Sequence, residues 1–100
     1  MRITRKDKNG VVTIALAGSL ETGTSSELEV ALSKEVQTAK KIILDFDKLD
    51  YVSSAGLQVL LTAQRSCDAR GIKMEIVKVN DVVKEVFELT GFNKILTLLG

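Results

Sequence analysis

The chain has no histidine, no proline, a single cysteine and only four aromatic residues. Without histidine the commonest general base is missing, and with it any Ser-His-Asp or Cys-His nucleophile pair and any zinc site with a histidine ligand. Cys67 has no partner for an internal disulfide, which fits a reducing compartment. At helical spacing from Leu60, Leu61 and Ala63 it reads as a small core hydrophobe. With no proline, repeat or low-complexity stretch, nothing marks an internal boundary, and residues 1–100 read as one domain. No glycine-rich loop ends in lysine, so the chain is not expected to bind ATP through a P-loop, and no cofactor is assigned. No stretch approaches the roughly 20 apolar residues of a membrane span, and Met1-Arg2-Ile3-Thr4-Arg5-Lys6 has no apolar run behind its charges. A cytoplasmic location is expected. Fourteen basic against 13 acidic residues leave a net charge of +1, so bulk charge attracts the chain to neither nucleic acid nor an anionic membrane. Neither is an expected partner on that ground, and recognition must rest on local surfaces. Phe46, Tyr51, Phe87 and Phe92 are too scattered for a base-stacking platform.

What is present is enough apolar material, 45% of residues, for one packed core. Asn9-Gly10 supplies tight-turn chemistry ahead of the β-branched run Val11 to Leu16, which predicts a β-hairpin with Arg2 to Asp7. Thr24-Ser25-Ser26-Glu27 reads as a capping box for a helix over roughly 24–38. Lys41 to Phe46 reads as a strand, Ser54 to Ala69 as a helix closed by Arg70-Gly71, and Ile72 to Val79 as another strand. These three form a βαβ unit with parallel strands. A third helix follows, capped by Asn80 or Asp81 and ended at Gly91, and Ile95 to Leu99 is a candidate last strand. The order β-β-α-β-α-β-α-β predicts an α/β domain, a mixed sheet with helices packed on it.

The informative stretch runs from Asp45 to Leu57, leaving a strand and entering a helix at Ser53-Ser54-Ala55-Gly56-Leu57. A serine at a helix entrance has two readings. Its oxygen can accept an N2 or N3 amide as a cap, worth about 0.5–2 kcal/mol. The same place also suits a phosphate, because free amides and the positive end of the helix dipole stabilise a dianion there. Gly56 is expected to keep bulk off the first turn, letting a partner approach the hydroxyl. Asp45, Asp47 and Asp50 are ordinary strand-end and turn aspartates, and no metal is assigned to them.

The Ser53-Ser54-Ala55-Gly56-Leu57 run after Ile42-Ile43-Leu44-Asp45 resembles the phosphorylation motif of STAS-domain anti-sigma-factor antagonists. Leu16-Ala17-Gly18-Ser19-Leu20-Glu21 resembles the family's Gly-x-Leu-Asp segment after its second strand, and Val86 to Phe92 resembles its last helix and turn. The resemblance implies that Ser54 is the phosphoacceptor and that Gly18, Ser19, Leu20, Glu21, Ser53, Ser54, Ala55, Gly56 and Leu57 form the partner-binding surface. It further implies a partner that is both anti-sigma factor and serine protein kinase, of the histidine-kinase-like ATPase fold. That partner would be bound by the unmodified chain, which frees a sigma factor, and a metal-dependent serine phosphatase would reset the switch. Ser53 and Glu21 stand where the family usually has aspartate. Three other readings stay open: a STAS adaptor in a circuit without a sigma factor, a transferase using Ser54, and an inert domain in which both serines only cap. The transferase reading lacks a base.

Overall fold

The computed structural model describes residues 1–99; Gly100, the last residue of the expected domain, lies outside the described residues. Strands β1 (Arg2–Lys8) and β2 (Val11–Leu20) form the predicted hairpin. Asn9 and Gly10 turn at φ 55° and 89°, and Asp7 Oδ1 accepts the Gly10 amide at 3.0 Å. Positive φ at both central residues is the geometry that matches the twist of the flanking strands, and Asn-Gly adopts it readily.

After β2 come α1 (Thr22–Thr38), β3 (Lys41–Val52), α2 (Ser54–Arg70), β4 (Lys73–Val77), α3 (Asp81–Thr90), a single 3₁₀ turn (Phe92–Lys94) and β5 (Thr97–Leu99). The strands lie in the order β1-β2-β3-β4-β5, with β1 antiparallel to β2 and the other neighbours parallel. The element order is the predicted one, and so is the mixed sheet.

The register explains the core. Val12 pairs with Ile42 and Ile42 with Met74, while Ile14 pairs with Leu44 and Leu44 with Ile76. Paired residues point to the same face of a sheet, so these buried rows form one apolar surface. Leu28, Leu32 and Val36 of α1, Leu57, Leu60 and Cys67 of α2, and Val83 and Phe87 of α3 are buried against it. Cys67 is thus core packing, and burial pushes its thiol up, with a smaller contribution from Asp68. The alternate positions, including Val11, Thr13 and Ile43, lie on the opposite face of the sheet and are only partly buried.

Helix α1 starts at Thr22, not Thr24, with Glu21 as its cap. Thr24 is its third residue, and its hydroxyl accepts the Glu21 amide at 2.9 Å while donating to the Ser19 carbonyl at 2.7 Å. The helix can therefore begin directly at the end of β2. Strand β3 runs to Val52, six residues past Phe46. Its pairing with β2 slips twice: Ala15 faces Asp45 but Ala17 faces Lys48, and Gly18 faces Leu49 but Ser19 faces Tyr51. Each slip is an extra residue on β3, a β-bulge. β4 is shorter than predicted, ending at Val77 because Lys78 turns into the left-handed region at φ 59°.

Asn80, not Asp81, caps α3: Asn80 Oδ1 accepts the Val83 amide at 2.8 Å, and Nδ2 donates to the Leu49 carbonyl at 2.8 Å. One side chain thus starts α3 and ties it to bulged β3. Gly71 and Gly91 end α2 and α3 in the left-handed conformation at φ 70° and 79°, as their positions predicted.

Candidate functional site

The carboxyl ends of β2 and β3 lie side by side, so the turn into α1 and the turn into α2 meet. The Ser53 amide donates to the Leu20 carbonyl at 2.7 Å, which locks the two turns together. The segments 18–21 and 53–57, far apart in the chain, form one site.

Within it the two serines have different jobs. Ser53 is the N-cap of α2, with an extended backbone at φ −86° and ψ 174°, and its Oγ accepts the Gly56 amide at 3.4 Å. Ser54 is the first helical residue and is exposed. The first-turn amides, which have no intrahelical acceptor, open beside it. Capping, which the sequence left open for either serine, belongs to Ser53. Because the Gly56 contact is long, Ser53→Ala is expected to cost toward the low end of cap losses, about 0.5–1 kcal/mol. Ser54→Ala should cost less than about 0.5 kcal/mol. Urea unfolding of the two variants measures both; a larger loss at Ser54 would reverse the assignment.

Gly56 does not serve as expected. It is buried and faces inward, where an added Cβ would stand 2.8 Å from Leu20 Cγ and 3.1 Å from the Leu20 carbonyl oxygen. Glycine here lets the first turn of α2 settle onto the end of β2; it does not clear a path for a partner from outside. Gly56→Ala forces α2 outward or Leu20 off its rotamer, and an expected loss of about 1–3 kcal/mol follows from the overpacking. Chemical denaturation tests this, and an unchanged midpoint would mean that the contact is soft.

The remaining predicted residues divide by exposure. Leu20 and Leu57 are 0% and 6% exposed and hold the site from beneath. Glu21 is exposed, and Gly18, Ser19, Ser53 and Ala55 are half-buried. Gly18 adopts φ 113°, open in practice only to glycine, at the position where β2 meets the second bulge of β3. Those bulges supply what sequence reasoning missed: Asp50 and Tyr51, both exposed, sit on the β3 segment leading into Ser53. Asp45 is engaged locally, its Oδ1 accepting the Asp47 amide at 3.0 Å and its Oδ2 lying 4.0 Å from Lys78 Nζ. Among the described residues no three Cys, Asp or Glu side chains converge as metal ligands. No helix among them is long and apolar enough to cross a membrane.

The arrangement is an exposed hydroxyl on a helix start, framed by a carboxylate-bearing turn and a bulged strand. The STAS domain model matches residues 2–99. BtrV of Bordetella bronchiseptica, provisionally named an anti-sigma factor antagonist, is 33% identical over 94 residues, covering 92% of this chain and 80% of its own. The anti-sigma F factor antagonist of Paenibacillus polymyxa is 25% identical over 100 residues, covering 98% and 86%. Among solved structures, the anti-sigma factor antagonist SpoIIAA of Bacillus in its unphosphorylated form superposes with a TM-score of 0.84 at 19% identity, covering 99% of this chain and 89% of its own. SpoIIAA has also been solved in a phosphorylated form, with a TM-score of 0.77 to this chain. With the family model spanning nearly every residue and a relative one-third identical over most of the length, the chain belongs to the STAS domain family, among the anti-sigma factor antagonists.

Proposed function

We propose that the chain is a binding module switched by phosphorylation of Ser54, which in its unmodified state sequesters an anti-sigma factor that is also a serine kinase and so frees a sigma factor. The observation that carries this reading is the division of labour at α2: Ser53 holds the cap, leaving Ser54 exposed as a modifiable hydroxyl. A helix start favours the dianion electrostatically, so modification leaves the fold in place. At a protein contact the same charge brings desolvation and repulsion from partner acids. The switch is then a change of surface, with no rearrangement of the core. The names of the relatives and the two solved states of SpoIIAA support the direction of this reading. The domain acts by contact and performs no catalysis; a metal-dependent serine phosphatase restores the hydroxyl. Glu21 keeps the negative charge of the family's usual aspartate on a longer arm, and neutral Ser53 removes one, which tunes the choice of cognate partner.

Capture on immobilised unmodified protein, followed by mass spectrometry, tests the partner. A serine kinase of the histidine-kinase-like ATPase fold should be retained, and then released when the chain is phosphorylated. Retention of a kinase of that fold with no sigma factor in its own complexes would favour an adaptor in another circuit. Equal retention by both forms would overturn the switch.

A further inference from the structure

The end of the domain opposite Ser54 is basic, which the net charge of +1 conceals. Register places Lys8, Val11, Lys41 and Lys73 in one row across β1 to β4, at the amino-terminal ends of the parallel strands. At about 4.8 Å between strands the row spans roughly 14 Å. Lys40 precedes it, joined to the hairpin turn by a hydrogen bond from its amide to the Gly10 carbonyl at 2.8 Å. Arg70 stands at the end of α2, three residues before Lys73. Lys8, Lys40, Arg70 and Lys73 are exposed. Of the nearby acids, Glu75 is paired with Lys41 Nζ at 2.8 Å and Asp7 with Arg5, while exposed Asp68, which accepts from Gln64 Nε2 at 2.9 Å, keeps its charge. The acids Asp47, Asp50 and Asp81 lie at the other end, where the parallel strands finish and α3 starts.

We propose that this basic end docks on an anionic phospholipid surface. Its cations come from the end of β1 (Lys8), the α1–β3 connection and start of β3 (Lys40, Lys41) and the start of β4 (Lys73). Arg70, at the end of α2, lies in the helix layer off the strand row, so the patch has the second dimension a planar array of headgroups meets. A nucleic-acid strand calls instead for a track, with aromatic side chains to stack on bases, and none stands among these residues. Lys41 is held by Glu75, and three of the four exposed cations are lysines, compact charges on flexible stems that suit a diffuse anionic surface. Docked this way, the domain stands on its basic end with Ser54 on the far side, facing its protein partners. The proposal is independent of the phosphorylation reading.

Flotation with vesicles of 70% phosphatidylcholine and 30% phosphatidylglycerol, against phosphatidylcholine alone, tests it. At about 50 mM salt the anionic vesicles should bind at least about tenfold more protein, and about 300 mM salt should abolish the difference, because the Debye length shortens. Lys8→Glu with Lys73→Glu should reduce binding about tenfold or more. Lys48→Glu with Lys84→Glu, the same change in net charge on exposed positions of β3 and α3 toward the Ser54 end, should leave most of it. Circular dichroism confirms that both pairs fold. No preference of the wild type for anionic vesicles, equal losses in the two pairs, or tighter binding to duplex DNA than to vesicles at equal salt would each overturn the proposal.

Discussion

Ser54→Asp is expected to weaken binding to the anti-sigma partner about 100-fold or more while leaving the domain folded. On the proposed reading the charge enters an interface shaped around a neutral hydroxyl, where an unpaired charge costs several kcal/mol. The fold survives because Ser54 is not the cap. Ser53 keeps the Gly56 amide, and an acid at the first helical position sits favourably against the helix dipole. Stability should therefore move by less than about 1 kcal/mol in either direction. Ser54→Ala, which adds no charge, should bind as the wild type does. Calorimetric titration with the captured partner reads affinity, and urea unfolding provides the control. Undiminished binding by Ser54→Asp would remove the electrostatic basis of the switch, and an unfolded variant would mean that the assignment of the cap is wrong.

The second large effect lies in the core. Phe87→Ala should cost about 3–5 kcal/mol, a large share of the 5–15 kcal/mol typical of a domain this size. Phe87 is fully buried and meets Phe46 of β3 with ring centroids 6.4 Å apart and planes tilted by 34°. Truncation removes this aromatic pair and leaves a cavity under α3 that the short helix cannot close. Leu89, two residues on and 80% exposed, supplies the comparison: Leu89→Ala should change stability by less than about 0.5 kcal/mol. Denaturant midpoints of the two variants decide. A loss below about 1 kcal/mol at Phe87 would show that α3 is not anchored on the sheet. Because Asn80 at the head of α3 also holds the Leu49 carbonyl of bulged β3, loosening α3 should disturb the strand that delivers Ser53 and Ser54.

Element order was legible because each element keeps its period: two in β2 from Val12 to Leu16, and three or four in α2 from Leu57 to Cys67. Strand β3 was read short because its period changes. Ile42, Leu44 and Phe46 are buried at every second position, then Leu49 and Val52 at every third. Each bulge turns two adjacent residues outward, Asp47 with Lys48 and then Asp50 with Tyr51, and alternation cannot register that. Leu49 and Val52, apolar and three apart, were the signal available. The start of α1 was missed for a related reason: Thr24 resembles a cap but acts from the third helical position, through the Glu21 amide and the Ser19 carbonyl.

At the site, the family resemblance pointed to Ser54 as the acceptor, but residue type left the cap open to either serine, since a hydroxyl suits a helix entrance at both positions. Backbone geometry separates them, through the extended ψ of Ser53. The role of Gly56 was invisible because it depends on Leu20, 36 positions earlier in the sequence. A small residue in a motif reads as room for a partner, whereas here it is room for the protein's own second strand. The basic end was hidden for the opposite reason. Composition averages over the surface, and only strand register gathers Lys8, Lys41 and Lys73 into one row.

The central claim is that Ser54 is the residue that is switched, and site mapping after phosphorylation tests it most directly. The unmodified protein is incubated with its captured kinase and ATP, weighed intact and then mapped by peptide. One phosphate per chain is expected, on Ser54, with none acquired by Ser54→Ala and a full complement acquired by Ser53→Ala. Phosphate on Ser53, or phosphate retained by Ser54→Ala, would contradict the account.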